Sequence, residues 1–459
     1  MEETILARLV VVSNRVPLPS QRGAQAGGLA VVLAEAMKKN AVWFGWSGQR
    51  TATASTDSKL QEAKGITYAT IDLSEDDYQH YYAGFSNSAL WPLLHLRTGL
   101  LNYHREDYDG YRRVNRIFAA ALKPLLQDDD VIWVHDYQLF TLPEELRALG
   151  VKNRIGFFLH IPFVPSIVLQ VLPPAAELLA AMCAADVIGF QTHRDRDSFF
   201  EATREILGAE ADSDDFVCYN GCRVQVVVTP VGIDSVSFAK IATRAVRSAE
   251  ACRLVESLAG RALAIGVDRL DYTKGLPNRF DAFSRLLSRY PQHIRQISFL
   301  QIAARSREDV DEYRDLRREL DRKIGDVNGT FSDFDWVPIR YMTGALKRKT
   351  LAGFFRVARI GLVTPLRDGM NLVAKEFVSA QNEEDPGVLI LSRFAGAAEE
   401  LSEALLVNPY DAEEMALAIH RALAMPLPER RERHGMLLRK TQIDTAASFC
   451  RNFLRYLAQ

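Results

Sequence analysis

The chain has 459 residues, more than one hydrophobic core usually holds, so ~2 to 3 domains are expected. Hydrophobic residues make up 48% and charged residues 25%, which excludes a disordered or fibrous chain. Lys+Arg 56 against Asp+Glu 58 leaves a net charge of −2, so no global field recruits nucleic acid or an anionic membrane, and any phosphate recognition must be local.

The start, Met1-Glu2-Glu3-Thr4, is acidic where a secretion signal would be basic, and the apolar run Leu9 to Val12 is only strand-length. That run empties into the polar turn Ser13-Asn14-Arg15 and a segment ending in Ala26-Gly27-Gly28-Leu29, with a helix expected from Leu29 to Lys39. Paired glycines before a helix bring backbone N–H groups against a diphosphate, although a GxGxxG dinucleotide fingerprint is absent. Strands are expected at Val42 to Trp46 and Thr67 to Ile71. The acidic run Ser74-Glu75-Asp76-Asp77 reads as a helix first turn continued by Tyr78 to Phe85. Tyr81, Tyr82, Trp91 and their Gly, Ser, Asn and Pro neighbours read as a loop whose aromatic faces suit a sugar, with plain core packing as the alternative. Asp128-Asp129-Asp130 precedes the strand Val131 to Val134, so a solvated turn is preferred to a metal site.

That strand ends in His135-Asp136-Tyr137. A short helix, Thr141 to Leu149, and the strand Arg154 to Leu159 lead to His160-Ile161-Pro162-Phe163. A lone histidine among apolar residues is usually a core residue, but two successive strands ending in His or Asp point to a shared site. The apolar region Leu169 to Phe190 is broken by Pro173-Pro174, Glu177 and Asp186, which argues against a membrane span. Another strand-helix repeat starts at Asp186 to Phe190. Five scattered cysteines fit a reduced cytoplasm. Cys218 and Cys222 flank Asn220-Gly221, which reads more simply as a hairpin turn than as a zinc site.

The second half repeats the alternation. Helical sequence from Arg244 to Leu258 precedes strand Ala262 to Val267, which opens into Asp268-Arg269-Leu270-Asp271-Tyr272-Thr273-Lys274-Gly275 and a helix from Leu276 to about Tyr290. Arg269 and Lys274 offer a fork and a point charge to phosphate oxygens, with a surface ion pair to Asp268 or Asp271 as the alternative. Further strands are expected at Ile297 to Ile302, Val337 to Met342, Ile360 to Thr364, Gly387 to Leu391 and Ala404 to Val407. Helices are expected at Glu308 to Lys323, Asp411 to Met425 and Ala446 to Leu457. Glu399 and Glu400 end a Gly-Ala-rich turn of no assigned role. After the strand Ile360 to Thr364, the turn Asp368-Gly369-Met370 enters a helix running to about Gln381. The N–H groups of Met370, Asn371, Leu372 and Val373 are then free for a sugar or phosphate oxygen, and Glu376 is in reach of a ribose. A plain helix capped by Asp368 is the alternative. The alternation implies an α/β protein of two Rossmann-like, doubly wound domains facing across a cleft. They are placed at 1–235 and 236–440, with a C-terminal helix at 441–459 expected to pack back on the first.

Taken together, Ser13-Asn14-Arg15, Gly27-Gly28-Leu29, Trp43 to Trp46, the Tyr-Tyr and Leu-Trp-Pro segment, His135-Asp136-Tyr137, His160 to Phe163, Arg269 to Gly275 and Asp368 to Glu376 resemble the trehalose-6-phosphate synthase family. The resemblance implies the GT-B arrangement and a retaining transfer of glucose from a nucleotide-sugar, usually UDP-glucose, to glucose 6-phosphate. It places Gly28, Arg269, Lys274 and the Leu372 and Val373 N–H groups on the donor diphosphate, and Glu376 on the ribose. Asp368, Gly369, Met370, Asn371 and His160 would hold the donor glucose. Arg15, Tyr82, Trp91 and Arg307 would grip the acceptor phosphate, and Asp136 the acceptor sugar. His160, Asp136, Arg269, Lys274 and Asp368 form the implied catalytic set, with no metal and no cofactor. The family further implies a cytoplasmic homodimer or homotetramer without nucleic-acid or membrane partners. Val164-Pro165-Ser166-Ile167 and Ala304-Arg305 depart from the family's usual Pro-rich, Glu-containing segment and its Pro-Thr. A transfer to glycerol 3-phosphate and a non-catalytic sugar-phosphate sensor are the rival readings.

Overall fold

The computed structural model describes residues 7–19, 32–33, 36–37, 40–53, 55–213, 215–305 and 311–459. Gly28 and Arg307, and most of the expected helix from Leu29 to Lys39, lie outside them. The chain divides into two compact units, Met1–Pro230 with Ala447–Gln459, and Val231–Ala446. The divisions fall a few residues from the expected 235/236 and 440/441.

Among the described residues the first unit holds ten strands, β1 (Leu9–Arg15), β2 (Val42–Thr51), β3 (Lys59–Ala63), β4 (Ile66–Ser74), β5 (Val131–His135), β6 (Arg154–Phe158), β7 (Val187–Phe190), β8 (Glu210–Ser213), β9 (Phe216–Tyr219) and β10 (Cys222–Val228). They form one sheet in the order β3-β4-β2-β1-β5-β6-β7-β10-β9-β8. Its centre is parallel and fully buried, as the uninterrupted apolar runs Val10 to Val12 and Ile132 to Val134 require. At the edges β9–β10 is the antiparallel hairpin expected at Asn220-Gly221, while the antiparallel pairs β3–β4 and β8–β9 correct the expectation of an otherwise parallel sheet. The β9–β10 hairpin turns at Asn220 (φ 47°) and Gly221 (φ 76°), the paired positive φ that an Asn-Gly turn supplies.

Two further expectations change. Asp130 is not a solvated turn residue; it is 2% exposed and accepts from Arg8 Nε and Nη2, both at 2.7 Å. The helix expected from Ser74 through Phe85 forms, but the loop expected around Tyr81, Tyr82 and Trp91 does not. Helix continues through Tyr78–Leu90 in wide turns, with Trp91 N bonded to Ser86 O five residues back, and resumes as Trp91–Leu94. Such wide turns favour functional sites because they re-aim side chains without ending the helix.

The helix Ala446–Leu457 returns to this sheet. Phe453 is fully buried, stacked on Trp133 of β5 at 4.9 Å and 10°. Gly156 and Gly189 clear its place, since a Cβ on either would lie 2.7 or 2.6 Å from the Phe453 ring. The second unit is one parallel sheet built from β11 (Ala262–Arg269), β12 (Ile297–Ala304), β13 (Ile339–Met342), β14 (Ile360–Val363), β15 (Val388–Ser392) and β16 (Leu405–Val407), in the order β13-β12-β11-β14-β15-β16. Order reverses between β11 and β14, where ligands collect in open α/β sheets. Among the described residues no helix is long and apolar enough to cross a membrane.

The Phe453 packing predicts that Phe453→Ala lowers the stability of the first unit by about 3–5 kcal/mol. A urea midpoint equal to wild type would show that the helix adds nothing to the core.

Candidate active site

In the second unit the polar loops sit at the carboxyl ends of β11 and β14. After β11 the chain turns through Asp271, whose Oδ1 accepts from Thr273 N at 3.0 Å and Thr273 Oγ1 at 2.8 Å, while Tyr313 OH donates to Oδ2 at 3.1 Å. Gly275 (φ 64°) then opens the helix Leu276–Arg289. A Cβ there would stand 2.6 Å from Thr364 O, so both conformation and space demand glycine.

Lys274 is 8% exposed and donates from Nζ to Asp368 Oδ2 at 2.6 Å. Its partner is thus neither Asp268 nor Asp271. Asn371 Nδ2 donates to the same carboxylate oxygen at 3.0 Å. Leu366 N donates to Thr273 O at 2.8 Å, tying the two loops together. Arg269 ends β11 with its side chain exposed. Asp368 does not cap the following helix. Asn371 (φ 84°) does, its side chain accepting from Ala374 N at 3.3 Å, and the helix spans Leu372–Ala380. The helix therefore starts at Leu372, and the N–H groups of Leu372 and Val373 open it beside Lys274 and Asp368. One turn on, Glu376 Oε1 accepts from Arg348 Nε at 3.4 Å, and burial pushes its carboxyl above the ordinary range, against the pull of Arg348.

The Gly-Ala-rich turn without a role in sequence is the brace of this loop. Gly396 N donates to Asp368 O at 3.1 Å, Ala397 N to Met370 O at 2.8 Å, and Asp368 N to Phe394 O at 3.2 Å. Glu400 accepts from the fully buried Lys375 at 2.8 and 3.0 Å, and Lys375 also reaches Val231 O at 2.8 Å.

Sequence reasoning missed Arg279. It is 1% exposed, donating to Asp268 Oδ2 at 2.6 Å, Gln301 Oε1 at 2.7 Å, Thr364 Oγ1 at 3.0 Å and Lys274 O at 3.3 Å. The signal was a cation on the apolar stripe of its helix, among Leu276, Phe280, Phe283 and Leu287.

In the first unit the ends of β1, β5 and β6 align, Ser13 opposite His135 and His135 opposite Phe158. Tyr81 OH donates to Asn14 Oδ1 at 2.9 Å, which binds the widened helix to the β1 turn. Arg15 lies over the Trp46 ring at 5.9 Å, and Tyr82 is 6.2 Å from the same ring. Trp91, 3% exposed, packs on His95 at 4.2 Å and Tyr137 at 5.6 Å. Tyr137 OH donates to Asn87 Oδ1 at 2.9 Å. Asp136 has φ 78° and ψ 166°, a backbone region nearly reserved for glycine, and its Oδ1 accepts from His160 N at 3.3 Å. His135 Nδ1 lies 3.0 Å from His160 Nε2. Burial, then His160, holds His135 well below the ordinary histidine range, and burial pushes His160 down to about 3. Both rings are neutral at neutral pH. Arg15, Tyr82, Trp91, Asp136 and His160 are thus linked through shared contacts in the first unit, and in the second Lys274, Asp368 and Asn371 are joined by hydrogen bonds, with Arg269 at the end of β11 and Glu376 in the helix that Asn371 caps.

Two predictions arise here. Arg279→Met should cost about 3–5 kcal/mol because it strands the Asp268 carboxylate, and adding Asp268→Asn should recover part of the loss. Simple additivity in denaturant would sink that account. The two imidazoles take up protons on unfolding, so the unfolded chain binds more protons between their lowered folded values and the ordinary 6.5. Their contribution is complete above about pH 6.5 and falls with pH below it, by up to about 1.4 kcal/mol per pH unit for each ring. The stability deficit of His135→Leu should therefore narrow on acidification; a deficit unchanged with pH would show that the ring is not held neutral.

With this geometry, the comparisons with known proteins are consistent along the chain. A family model described as Glycosyltransferase family 20 matches residues 7–459. A trehalose-6-phosphate synthase of Sinorhizobium fredii is 46% identical over 457 residues, covering 98% of this chain and 98% of that protein. Among solved structures, an alpha,alpha-trehalose-phosphate synthase (UDP-forming) from Burkholderia xenovorans in complex with glucose-6-phosphate is similar with TM-score 0.96 and 46% identity, covering 99% of this chain and 100% of that one. An E. coli structure bound with UDP-2-fluoro glucose is similar with TM-score 0.94 and 44% identity, covering 99% of each chain.

Proposed function

The chain belongs to glycosyltransferase family 20, and we propose that it transfers glucose from UDP-glucose to glucose 6-phosphate with retention, giving α,α-trehalose 6-phosphate and UDP. The observation that carries this reading is the nearly buried Lys274 ammonium, held by Asp368 beside a helix N-terminus at the carboxyl ends of parallel strands. Breaking the glycosidic C–O bond puts negative charge on the departing diphosphate. Arg269, Lys274 and the Leu372 and Val373 N–H groups meet that charge with fixed positive ends, a set sufficient without a bound metal.

Asp368 and Asn371 accept and donate to hydroxyls of the transferred glucose, with Gly369 and Met370 shaping the loop, and Glu376 takes the ribose. Arg15, Tyr82 and Trp91 receive the acceptor phosphate, and Asp136 orients the acceptor sugar. In a retaining transfer without a covalent intermediate, the acceptor hydroxyl attacks from the leaving-group side. The C–O bond to the diphosphate breaks, the new glycosidic bond forms, and the hydroxyl proton passes to a phosphate oxygen. The chain's work is then to position two substrates and exclude water.

Incubation with UDP-glucose and either glucose 6-phosphate or glycerol 3-phosphate should give trehalose 6-phosphate from the first pair and little product from the second, with the rate unchanged by a chelator. Lys274→Ala should lower kcat by roughly 10²–10³-fold with a smaller change in KM. Near-normal turnover in that variant would contradict the leaving-group role.

A further inference from the structure

His135 belongs to the His135-Asp136-Tyr137 motif, yet neither substrate accounts for it. It has no exposed surface, lies at the end of a central strand, and touches His160 through one nitrogen only. Among the described residues its other nitrogen, Nε2, has no hydrogen-bond partner. The Trp133 ring covers this side chain at 4.5 Å.

Two neutral imidazoles bonded to each other can place the shared proton in two ways. If His160 Nε2 carries it, His135 Nδ1 must accept, and the proton of His135 is forced onto the buried Nε2, a donor with nothing to donate to. If His135 Nδ1 carries it, the buried Nε2 is a bare lone pair. An orphaned buried N–H is the rarer fault in folded proteins. The second arrangement also fixes His160. Its Nε2 is occupied as an acceptor, so its own proton sits on Nδ1. No described residue bonds that nitrogen, and the ring keeps a partly exposed edge. Phe158 at 4.7 Å and Phe449 at 6.3 Å hold the ring plane.

We propose that His135 is a positioning residue whose Nδ1–H donates to His160 Nε2, fixing the His160 proton on Nδ1 so that the ring meets a sugar hydroxyl oxygen as a donor. The sugar as ligand rests on the transfer reaction proposed above; the placement of the protons does not. The two rings are too far below their ordinary basicity to act as acids or bases, so this pair orients a substrate and leaves proton transfer to other groups.

The chain has nine histidines, few enough to assign by single substitution. In histidine-¹⁵N-labelled intact protein, long-range ¹H–¹⁵N correlation should show His160 protonated on Nδ1 and bare on Nε2. A proton on His160 Nε2, or rapid averaging between the two, overturns the proposal, and this readout needs no variant. In kinetics, His135→Leu should lower kcat/KM for the sugar nucleotide roughly tenfold, the worth of one well-placed hydrogen bond. His135→Asn, which restores a donor near the Nδ1 position, should recover most of it. In a His160→Phe background the His135→Leu loss should vanish. An equal loss in that background would show that His135 acts only as packing, and the proposal fails. A His160 proton found on Nδ1 in a protein that transfers no glucose from UDP-glucose to glucose 6-phosphate would support the proton placement and sink the reaction instead.

Discussion

Burying the Arg279 guanidinium obliges the chain to surround it with acceptors, and the acceptors it gathers belong to the loops that present Lys274 and Asp368. Asp268 comes from the end of β11, Gln301 from β12, Thr364 from just beyond β14, and the Lys274 carbonyl from the turn between. One planar group therefore ties together the ends of adjacent strands at the point where strand order reverses. Apolar residues in place of both partners would fill the core as well as the ion pair does, because buried pairs gain little net stability over hydrophobic packing. They would not hold a carbonyl, a hydroxyl and a carboxylate at fixed angles. The physical value of Arg279 is thus directional, and the position of the Lys274 backbone depends on it.

The first unit solves the same problem with strain and aromatic packing instead of a buried cation. Asp136 adopts a backbone conformation that costs about 1–3 kcal/mol for a residue with a side chain. What holds it there is local: Asp136 N donates to Phe158 O at 2.8 Å, and Leu139 N to Asp136 O at 3.1 Å. Tyr111 OH fixes the next residue by donating to Tyr137 O at 2.7 Å. The widened helix supplies Tyr81, Tyr82 and Asn87 to the ends of β1, β2 and β5, and a regular 3.6-residue turn would rotate these three side chains to different faces. The sheet sets the level of the site, and the helix sets which groups face it.

What was legible in the sequence follows from what each signal depends on. Central strands announce themselves because burial on both faces demands continuous apolar runs, as at Val10 to Val12 and Ile360 to Val363. Polar turns after those strands mark the candidate site for the same reason, since only loops at strand ends can carry charge there. The β9–β10 hairpin was legible from Asn220-Gly221, but the antiparallel strands β3 and β8 stayed hidden because both are exposed and polar, with no periodic constraint. The segment around Tyr82 to Pro92 reads as loop because Gly84, Ser86, Asn87 and Pro92 are poor helix formers, and tertiary contacts override that preference. Asp130 was misread because an acidic run before a strand gives no local sign of burial, and the one local sign for Arg279, its place on the apolar stripe of its helix, does not say what pairs with such a charge. The partner, Arg8 in one case and Asp268 in the other, is brought to it only by the fold. Asn371 displaced Asp368 as the helix cap because Asp368 is already engaged by Lys274.

That engagement has a consequence for binding. An ammonium with so little exposed surface needs an anion beside it, and Asp368 supplies one at 2.6 Å. In the transfer proposed above, a diphosphate arriving at the helix N-terminus would bring a stronger anion to the same cation, letting Lys274 pass from carboxylate to phosphate without meeting bulk water. The carboxylate released from that bond keeps Asn371 at 3.0 Å, and its backbone stays clamped by Phe394 and Gly396. It is then left as a fixed acceptor for sugar hydroxyls at the moment the sugar arrives. The ion pair is therefore an exchange partner more than a source of stability. In the transfer proposed above, this geometry would make phosphate binding and sugar binding by the loop mutually dependent, because Asp368 would be freed for the sugar when the diphosphate takes Lys274.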